Sequence, residues 1–137
     1  MFIPKYRKYK KAQKGPLPEG VSVRCNQLNF GKYGLKALEV GKLSSAQIEA
    51  ARRVIIRKTK KIGKIWIRVF PDIPVSRKPS EVRMGKGKGG VEFWITKVKA
   101  GRILFELDNV SQSEAINVLN AASFKSPIMT KVIKKEN

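Results

Sequence analysis

Residues 44–70 read SSAQIEAARRVIIRKTKKIGKIWIRVF, and a helical pattern passes there directly into a strand pattern. Ser44 followed by Gln47 is a capping box, the sequence signature of a helix N-terminus. The apolar side chains that follow recur on one face at helical spacing, and they are Ile48, Ala51, Val54 and Ile55. Gly63 predicts the end of this helix. Alternating apolar side chains then predict a strand over 65–70.

On either side of this stretch, alternating side chains predict four further strands. Before the helix these are residues 21–26 and 33–40, and after it they are 91–99 and 103–107. The last two are separated only by a short turn at Gly101. We therefore expect them to pair with each other as a β-hairpin.

A second helix is predicted from Ser111, which forms another capping box with Glu114. Its apolar face is expected to carry Ala115, Ile116, Leu119 and Ala122, and the helix to end near Phe124. Residues 127–134 predict a last strand. This order of elements indicates an α+β fold, with two helices packed on one side of a mostly antiparallel sheet.

Composition points to a partner that is a polyanion. The chain has 137 residues with 30 Lys and Arg against 10 Asp and Glu, a net charge of +20. Such charge opposes compaction unless a partner neutralises it, and nucleic-acid phosphate is the commonest such partner. Because 42% of residues are apolar, a folded core is expected. We expect residues 1–20 to form a basic N-terminal arm with a linker, and residues 21–137 to form a single RNA-binding domain.

Several classes of site are excluded by residue type. Histidine is absent and Cys25 is the only cysteine, so neither a Cys/His metal cluster nor a Ser-His-Asp triad can form. No apolar run reaches the roughly 18 residues of a membrane-spanning helix. Paired carboxylates are also missing from the pattern. We expect no enzyme activity, no cofactor and no membrane partner.

The basic arm is the first candidate RNA-binding segment. It carries basic side chains without any acid over residues 1–15, and these are Lys5, Arg7, Lys8, Lys10, Lys11 and Lys14. Tyr6 and Tyr9 lie between them, and aromatic rings can stack on unpaired bases. We expect the arm to become ordered only when it binds RNA.

The second candidate is the polar face of the first helix, which we call the helix cluster: Arg52, Arg53, Arg57, Lys60 and Lys61. Basic residues continue into the next strand with Lys64 and Arg68. Ordinary surface helices mix charges to gain i,i+4 pairs, whereas no acid occurs between Arg52 and Lys64. This face is predicted to contact phosphates; the alternative is a solvated amphipathic helix. Trp66, between Lys64 and Arg68, is expected to pack on the strand face.

The third candidate is a long loop over residues 71–90, which we expect to contain no strand. It carries Lys78 and a loop tip that alternates glycine with cations: Arg83, Met84, Gly85, Lys86, Gly87 and Lys88. Glycine allows close approach to a backbone and takes positive φ freely. Gly85, Gly87 and Gly90 match a dinucleotide fingerprint in spacing, but that motif must follow a strand and open a helix. The loop tip therefore favours contact with folded RNA.

Taken together, these segments resemble the family of universal large-subunit ribosomal protein sixteen, of bacterial and organellar type. The resemblance covers nearly the whole chain and is carried by several collinear stretches: Pro4–Lys5, Phe30–Ala37, Gln47–Arg53, Gly63–Asp72, Lys78–Pro79 and Arg83–Gly89. It implies a structural component that binds large-subunit ribosomal RNA at the base of the central protuberance, near the peptidyl transferase centre. It also implies that the loop tip points toward aminoacyl-site tRNA, that neighbouring ribosomal proteins are partners, and that the chain assists late subunit assembly. No homo-oligomer is expected.

Two other functional classes are compatible with a basic composition. An architectural DNA-binding protein would be expected to offer a recognition helix or a symmetric dimer motif, and neither is evident. An RNA-modifying enzyme would need catalytic groups that the sequence lacks.

Residues 70–79, FPDIPVSRKP, look most like alphaproteobacterial and mitochondrial relatives. We therefore expect a ribosome of the mitochondrial matrix with an organelle-encoded protein, the alternatives being bacterial cytoplasm and plastid.

Overall fold

Seven strands and two helices make up the computed structural model, which describes residues 2–136. Their order along the chain is β1 (Tyr33–Ala37), β2 (Gly41–Ser44), α1 (Ser45–Lys58), β3 (Lys64–Ile67), β4 (Ile73–Ser76), β5 (Val91–Val98), β6 (Ile103–Asp108), α2 (Gln112–Ser123) and β7 (Thr130–Lys134). The predicted α+β class is confirmed.

The strands form two antiparallel sheets rather than the single sheet expected from the sequence. One sheet has the order β3-β6-β1-β7 and the other β2-β5-β4. The predicted hairpin of β5 and β6 is wrong, because the two strands belong to different sheets. At the turn between them, the backbone of Ala37 accepts a hydrogen bond from Gly101 and donates one to Arg102. The turn residues Gly101 and Arg102 therefore bond to the end of β1.

Both helices begin where the capping boxes predict. The Ser44 hydroxyl accepts from the Gln47 N–H at 3.3 Å, and the Gln47 side chain accepts from the Ser44 N–H at 2.9 Å. Ile48, Ala51 and Ile55 are buried, which confirms three positions of the predicted apolar face of α1, whereas Val54 is half-buried. In α2 the predicted face is right except at one position: Ile116 is exposed, and Val118 is buried instead.

The core lies where α1 and α2 pack on each other and on strands of both sheets. Its fully buried side chains include Leu35 of β1, Ile48 and Ile55 of α1, Leu107 of β6 and Leu119 of α2. Fully burying a Leu or Ile side chain stabilises a fold by about 1.5–3 kcal/mol. This core positions three basic segments around it: the basic arm, the end of α1 and the long loop.

Two predicted segments differ from the observed structure. Residues 21–26 form no strand, because Cys25 takes a left-handed φ of 55° that interrupts extended backbone. Val23 there is 87% exposed, so its side chain has no apolar layer to join. Conversely, the long loop contains β4. Pro74 argued against a strand here, because proline has no N–H to donate to a neighbouring strand. However, β4 is an edge strand, where a missing N–H is tolerated.

Element boundaries on both sides of α1 also differ. The strand predicted over 65–70 is observed as β3, which begins at Lys64 and ends at Ile67. The chain turns after Ala37, so the strand expected over 33–40 is shorter and a separate short strand, β2, precedes the helix. The helix itself ends at Lys58 with Thr59 as its C-cap, before the predicted stop at Gly63. Lys60 and Lys61 then adopt left-handed φ values of 51° and 65°.

Candidate nucleic-acid interface

The basic arm has no helix or regular strand over residues 2–20, yet it lies against the three-stranded sheet. The guanidinium of Arg7 donates to the backbone oxygens of Tyr9, at 3.1 Å, and Asp72, and it lies 5.6 Å from the centroid of the Trp94 ring. Lys97 of β5 donates to the backbone oxygens of Lys14 and of Pro16, the latter at 2.9 Å. The arm is thus attached by side chains that bind backbone carbonyls.

The arm and the loop tip are joined by two reciprocal contacts. The ammonium of Lys11 donates to the backbone oxygen of Lys88 at 2.8 Å, and the ammonium of Lys88 donates to that of Ala12 at 2.7 Å. These contacts bring two segments of like charge side by side. Because like charges repel, a bound polyanion that lies across both would relieve that repulsion.

The loop tip extends from a narrow neck. The neck forms where the Arg77 N–H donates to the Gly90 oxygen at 3.1 Å, and a Cβ on Gly89 would lie 2.5 Å from the Arg77 oxygen. Beyond it, Gly85 and Gly87 have φ values of 102° and 95° but open space around them. Glycine is therefore required at position 89 because the backbone of Arg77 comes too close for a Cβ. At positions 85 and 87 it is required because the backbone takes a positive φ.

All residues of the loop tip are exposed, and Met84 is 99% exposed. Lys86, between the two glycines, also has a left-handed φ of 58°. Lys78 is half-buried, and its ammonium donates to the Gly85 backbone oxygen, so it braces the tip. The loop presents its cations to solvent on a backbone with few side-chain contacts.

The helix cluster is partly neutralised by an acid that the sequence pattern did not reveal. Glu49, one turn earlier on α1, accepts from Arg52 at 2.8 and 2.5 Å and from Arg53 at 3.1 Å. The hydrogen bond from Arg52, with that from Arg53, outweighs desolvation and lowers the pKa of Glu49 to about 2. Glu49 is therefore ionised at neutral pH. The exposed Arg57, Lys60 and Lys61 carry no such ion pair among the described residues.

Arg68 differs from the other predicted RNA-binding residues because its guanidinium is engaged inside the protein. Its side chain is 13% exposed and forms an ion pair with Glu106, whose side chain is fully buried. Burial raises the pKa of Glu106, but hydrogen bonds from the backbone of Gly31 and Phe30, from Arg68 and from Asn29 together hold it below its usual value. RNA contact by Arg68 stays a prediction. Lys64, in contrast, is exposed at the edge of the sheet.

Other kinds of site receive no support from residues 2–136. This part of the chain holds no group of three or more His, Cys, Asp or Glu that could bind a metal ion. Neither α1 nor α2 combines the length and apolar character needed to cross a bilayer. The structure brings the arm and the loop tip into contact, while the helix cluster forms a separate basic surface on α1.

The chain is similar throughout its length to ribosomal proteins. The family described as Ribosomal protein L16p/L10e matches residues 4–133. The large ribosomal subunit protein uL16 of Erythrobacter litoralis is 54% identical over 135 residues, which cover 98% of this chain and 93% of the relative. The uL16 proteins of Orientia tsutsugamushi and Maricaulis maris are 52% and 50% identical, with 98% of each chain covered. Matches of this extent show that the chain belongs to the ribosomal protein L16p/L10e family.

Proposed function

We propose that this chain binds large-subunit ribosomal RNA through the basic arm, the loop tip and the helix cluster. As a member of its family, it is a structural, non-enzymatic constituent of the large ribosomal subunit. Within that role, we propose a position at the base of the central protuberance, near the peptidyl transferase centre. There it would help position aminoacyl-tRNA, contact neighbouring ribosomal proteins and assist late assembly.

The observation that supports RNA binding most directly is the pairing of the arm with the loop tip. Lys11 and Lys88 hold the two segments together, so their cations share one surface although they are 77 residues apart in sequence. Each phosphate that such a surface neutralises releases counterions from the RNA, which contributes binding free energy and makes it depend on salt. RNA binding thus offsets the repulsion within a chain of net charge +20.

The loop tip supports the finer proposal about tRNA. Its tip residues are exposed, and its two open glycines leave the backbone free to approach another backbone closely. Arg83 can bind a phosphate in bidentate fashion or stack on a base. We infer that the tip contacts the RNA that surrounds the aminoacyl site, or the tRNA bound there.

The cellular location of this protein depends on whether its ribosome is bacterial, mitochondrial or plastid. The relatives reported above are bacterial, and they lend no support to the mitochondrial matrix. Bacterial cytoplasm, one of the alternatives considered from the sequence, fits them better. The mitochondrial assignment stays a prediction, which fractionation of the source cells and location of the gene would test.

The test is the salt dependence of binding to a large-subunit ribosomal RNA fragment. Each lost phosphate contact should reduce the slope of log K against log salt by about 0.7–0.9. Lys11→Gln with Lys88→Gln should reduce the slope by about 1.4–1.8 and separate the arm from the loop. The matched control is Lys125→Gln with Lys131→Gln, which removes the same charge from exposed positions outside the proposed interface. Equal slopes for the two double variants would contradict the proposed interface.

A further inference from the structure

Phe30 and Trp66 form a stacked aromatic pair at the surface of the four-stranded sheet. Their ring centroids are 6.0 Å apart and their planes differ by 18°. A cation lies over each ring: the Lys64 ammonium is 5.1 Å from the Trp66 centroid, and the Arg68 guanidinium carbon is 4.8 Å from the Phe30 centroid. We call Phe30, Trp66 and Lys64 the aromatic platform. Phe30 is 55% exposed, so much of this platform faces solvent.

The backbone beneath Phe30 is held firmly by a buried carboxylate. One oxygen of Glu106 accepts from the Phe30 N–H at 2.7 Å and from the Gly31 N–H at 2.8 Å. The other oxygen pairs with Arg68. Trp66 lies directly opposite Glu106 in the pairing of β3 with β6, so the sheet holds its backbone in place. The rings are therefore preorganised, which reduces the entropy lost on binding a ligand.

Gly31 adds a steric constraint to the same segment. A Cβ at this position would lie 2.7 Å from the backbone oxygen of Leu107, closer than real Cβ atoms approach. The chain at Phe30–Gly31 is thus pressed against β6. This segment presents Phe30 to solvent from a backbone that is hydrogen-bonded to Glu106 and closely packed on β6.

A purely structural role accounts for only part of this arrangement. Phe30 covers the ion pair of Arg68 with Glu106 on one side, and any large apolar side chain would do so. The cover does not need an exposed ring stacked parallel to a second ring with a cation beside it. Both features suit a nucleotide of a single strand, since its base can stack on an aromatic ring and its phosphate can be neutralised by a cation.

The surroundings favour RNA over an apolar protein partner. Phe30 shares a surface depression with three lysines, Lys32, Lys134 and Lys135, and with two acids, Asp108 and Glu136, so its lining is charged and carries a small positive excess. The Lys64 ammonium lies over the Trp66 ring. We propose that the aromatic platform is a stacking site for one unpaired RNA base, which takes the place of the exposed Lys64 ammonium over Trp66. Lys64 and Lys32 then bind the flanking phosphates. This inference rests on the proposed function, because it assumes that the chain binds RNA.

The experiment uses tryptophan emission as a local signal. The chain has two tryptophans, so a Trp94→Phe background leaves Trp66 as the only one. Two probes are titrated into this protein at the same salt: a pentamer of oligoadenylate and an abasic ribose-phosphate pentamer of equal charge. We expect the adenylate to quench Trp66 and to bind about 5- to 100-fold more tightly than the abasic probe. Phe30→Leu should remove most of this preference and leave the abasic affinity unchanged.

The outcomes separate failure of the proposed stacking site from failure of RNA binding as a whole. Equal affinities for the two probes, without quenching of Trp66, would overturn the stacking site while leaving phosphate binding intact. Failure of both probes to bind would contradict the proposed function itself. The exposed arm tyrosines are controlled by Tyr6→Leu with Tyr9→Leu, which should preserve the quenching of Trp66. Because the comparison of probes needs no change at Phe30, the test holds even if Phe30→Leu fails to fold.

Discussion

Replacing Glu106 by Gln should destabilise the protein more than any other single loss of charge. The carboxylate is fully buried and binds Arg68 as well as the backbone N–H groups of Phe30 and Gly31. A Gln side chain has one acceptor oxygen, so its amide group would face either a backbone donor or the guanidinium. Removing one partner of a buried ion pair costs about 3–5 kcal/mol, because the other charge is left unpaired.

The assay is denaturant unfolding at pH 7, supported by thermal melting. A loss of about 3–5 kcal/mol corresponds to a fall in Tm of about 10–20 °C for a domain of this size. Asp108→Asn is the matched control on the same strand, since the Asp108 carboxylate accepts only a local bond from Asn109 among the described residues. Glu106→Gln combined with Arg68→Met should be less destabilising than Glu106→Gln alone, because no buried guanidinium then remains unpaired.

The pH dependence of the free energy of unfolding is a second test of the role of Glu106. The pKa of Glu106 in the folded protein lies below its ordinary value of 4.5. Its contribution to stability is therefore fully present above pH 4.5 and is lost as the pH falls through the lowered folded pKa. The stability difference between wild type and Glu106→Gln should shrink as the pH falls below 4.5. A difference under about 1 kcal/mol at pH 7, or one that persists unchanged at low pH, would refute this reasoning.

Three further predictions address other parts of the molecule. Gly31→Ala should lower the free energy of unfolding by about 1–3 kcal/mol, measured in denaturant, because its Cβ would meet the Leu107 oxygen. Lys60→Gly should raise stability by up to about 1 kcal/mol, since it relieves a left-handed φ of 51°, yet weaken RNA binding in a filter assay; a fall in both would contradict it. Glu49→Gln should strengthen RNA binding at low salt and steepen its salt slope, because the two paired arginines are released; an unchanged slope would reject this.

The helices could be predicted from the sequence because their signals are local. Ser44 and Ser111 each lie three residues before the side chain that completes the capping box, and both boxes form as expected. Strand pairing is a different problem, since it depends on contacts between distant residues. Nothing near Gly101 in the sequence shows that Ala37 occupies the hydrogen-bonding groups of that turn, so the hairpin prediction failed.

For the candidate RNA-binding residues, solvent exposure of the side chains could be predicted from the sequence better than their ion-pair partners. The cations of the arm and the loop tip are exposed or half-buried, as their composition suggests. Arg68 shares the alternating pattern of an exposed strand residue, but its partner Glu106 lies 38 positions away in sequence. One signal was available: Glu106 is an acid within the otherwise apolar run over 103–107. A lone acid in a buried strand indicates a partner, although it does not identify it.

Sedimentation of the native protein from a lysate of its source cells on sucrose gradients tests whether the chain is a component of the large ribosomal subunit. Gradients would be run at low and at raised monovalent salt, with the protein followed by immunodetection. We expect the protein to migrate with the large ribosomal subunit under both conditions, because RNA contacts on several surfaces act together. Migration as free protein, or with DNA-containing material, would contradict it.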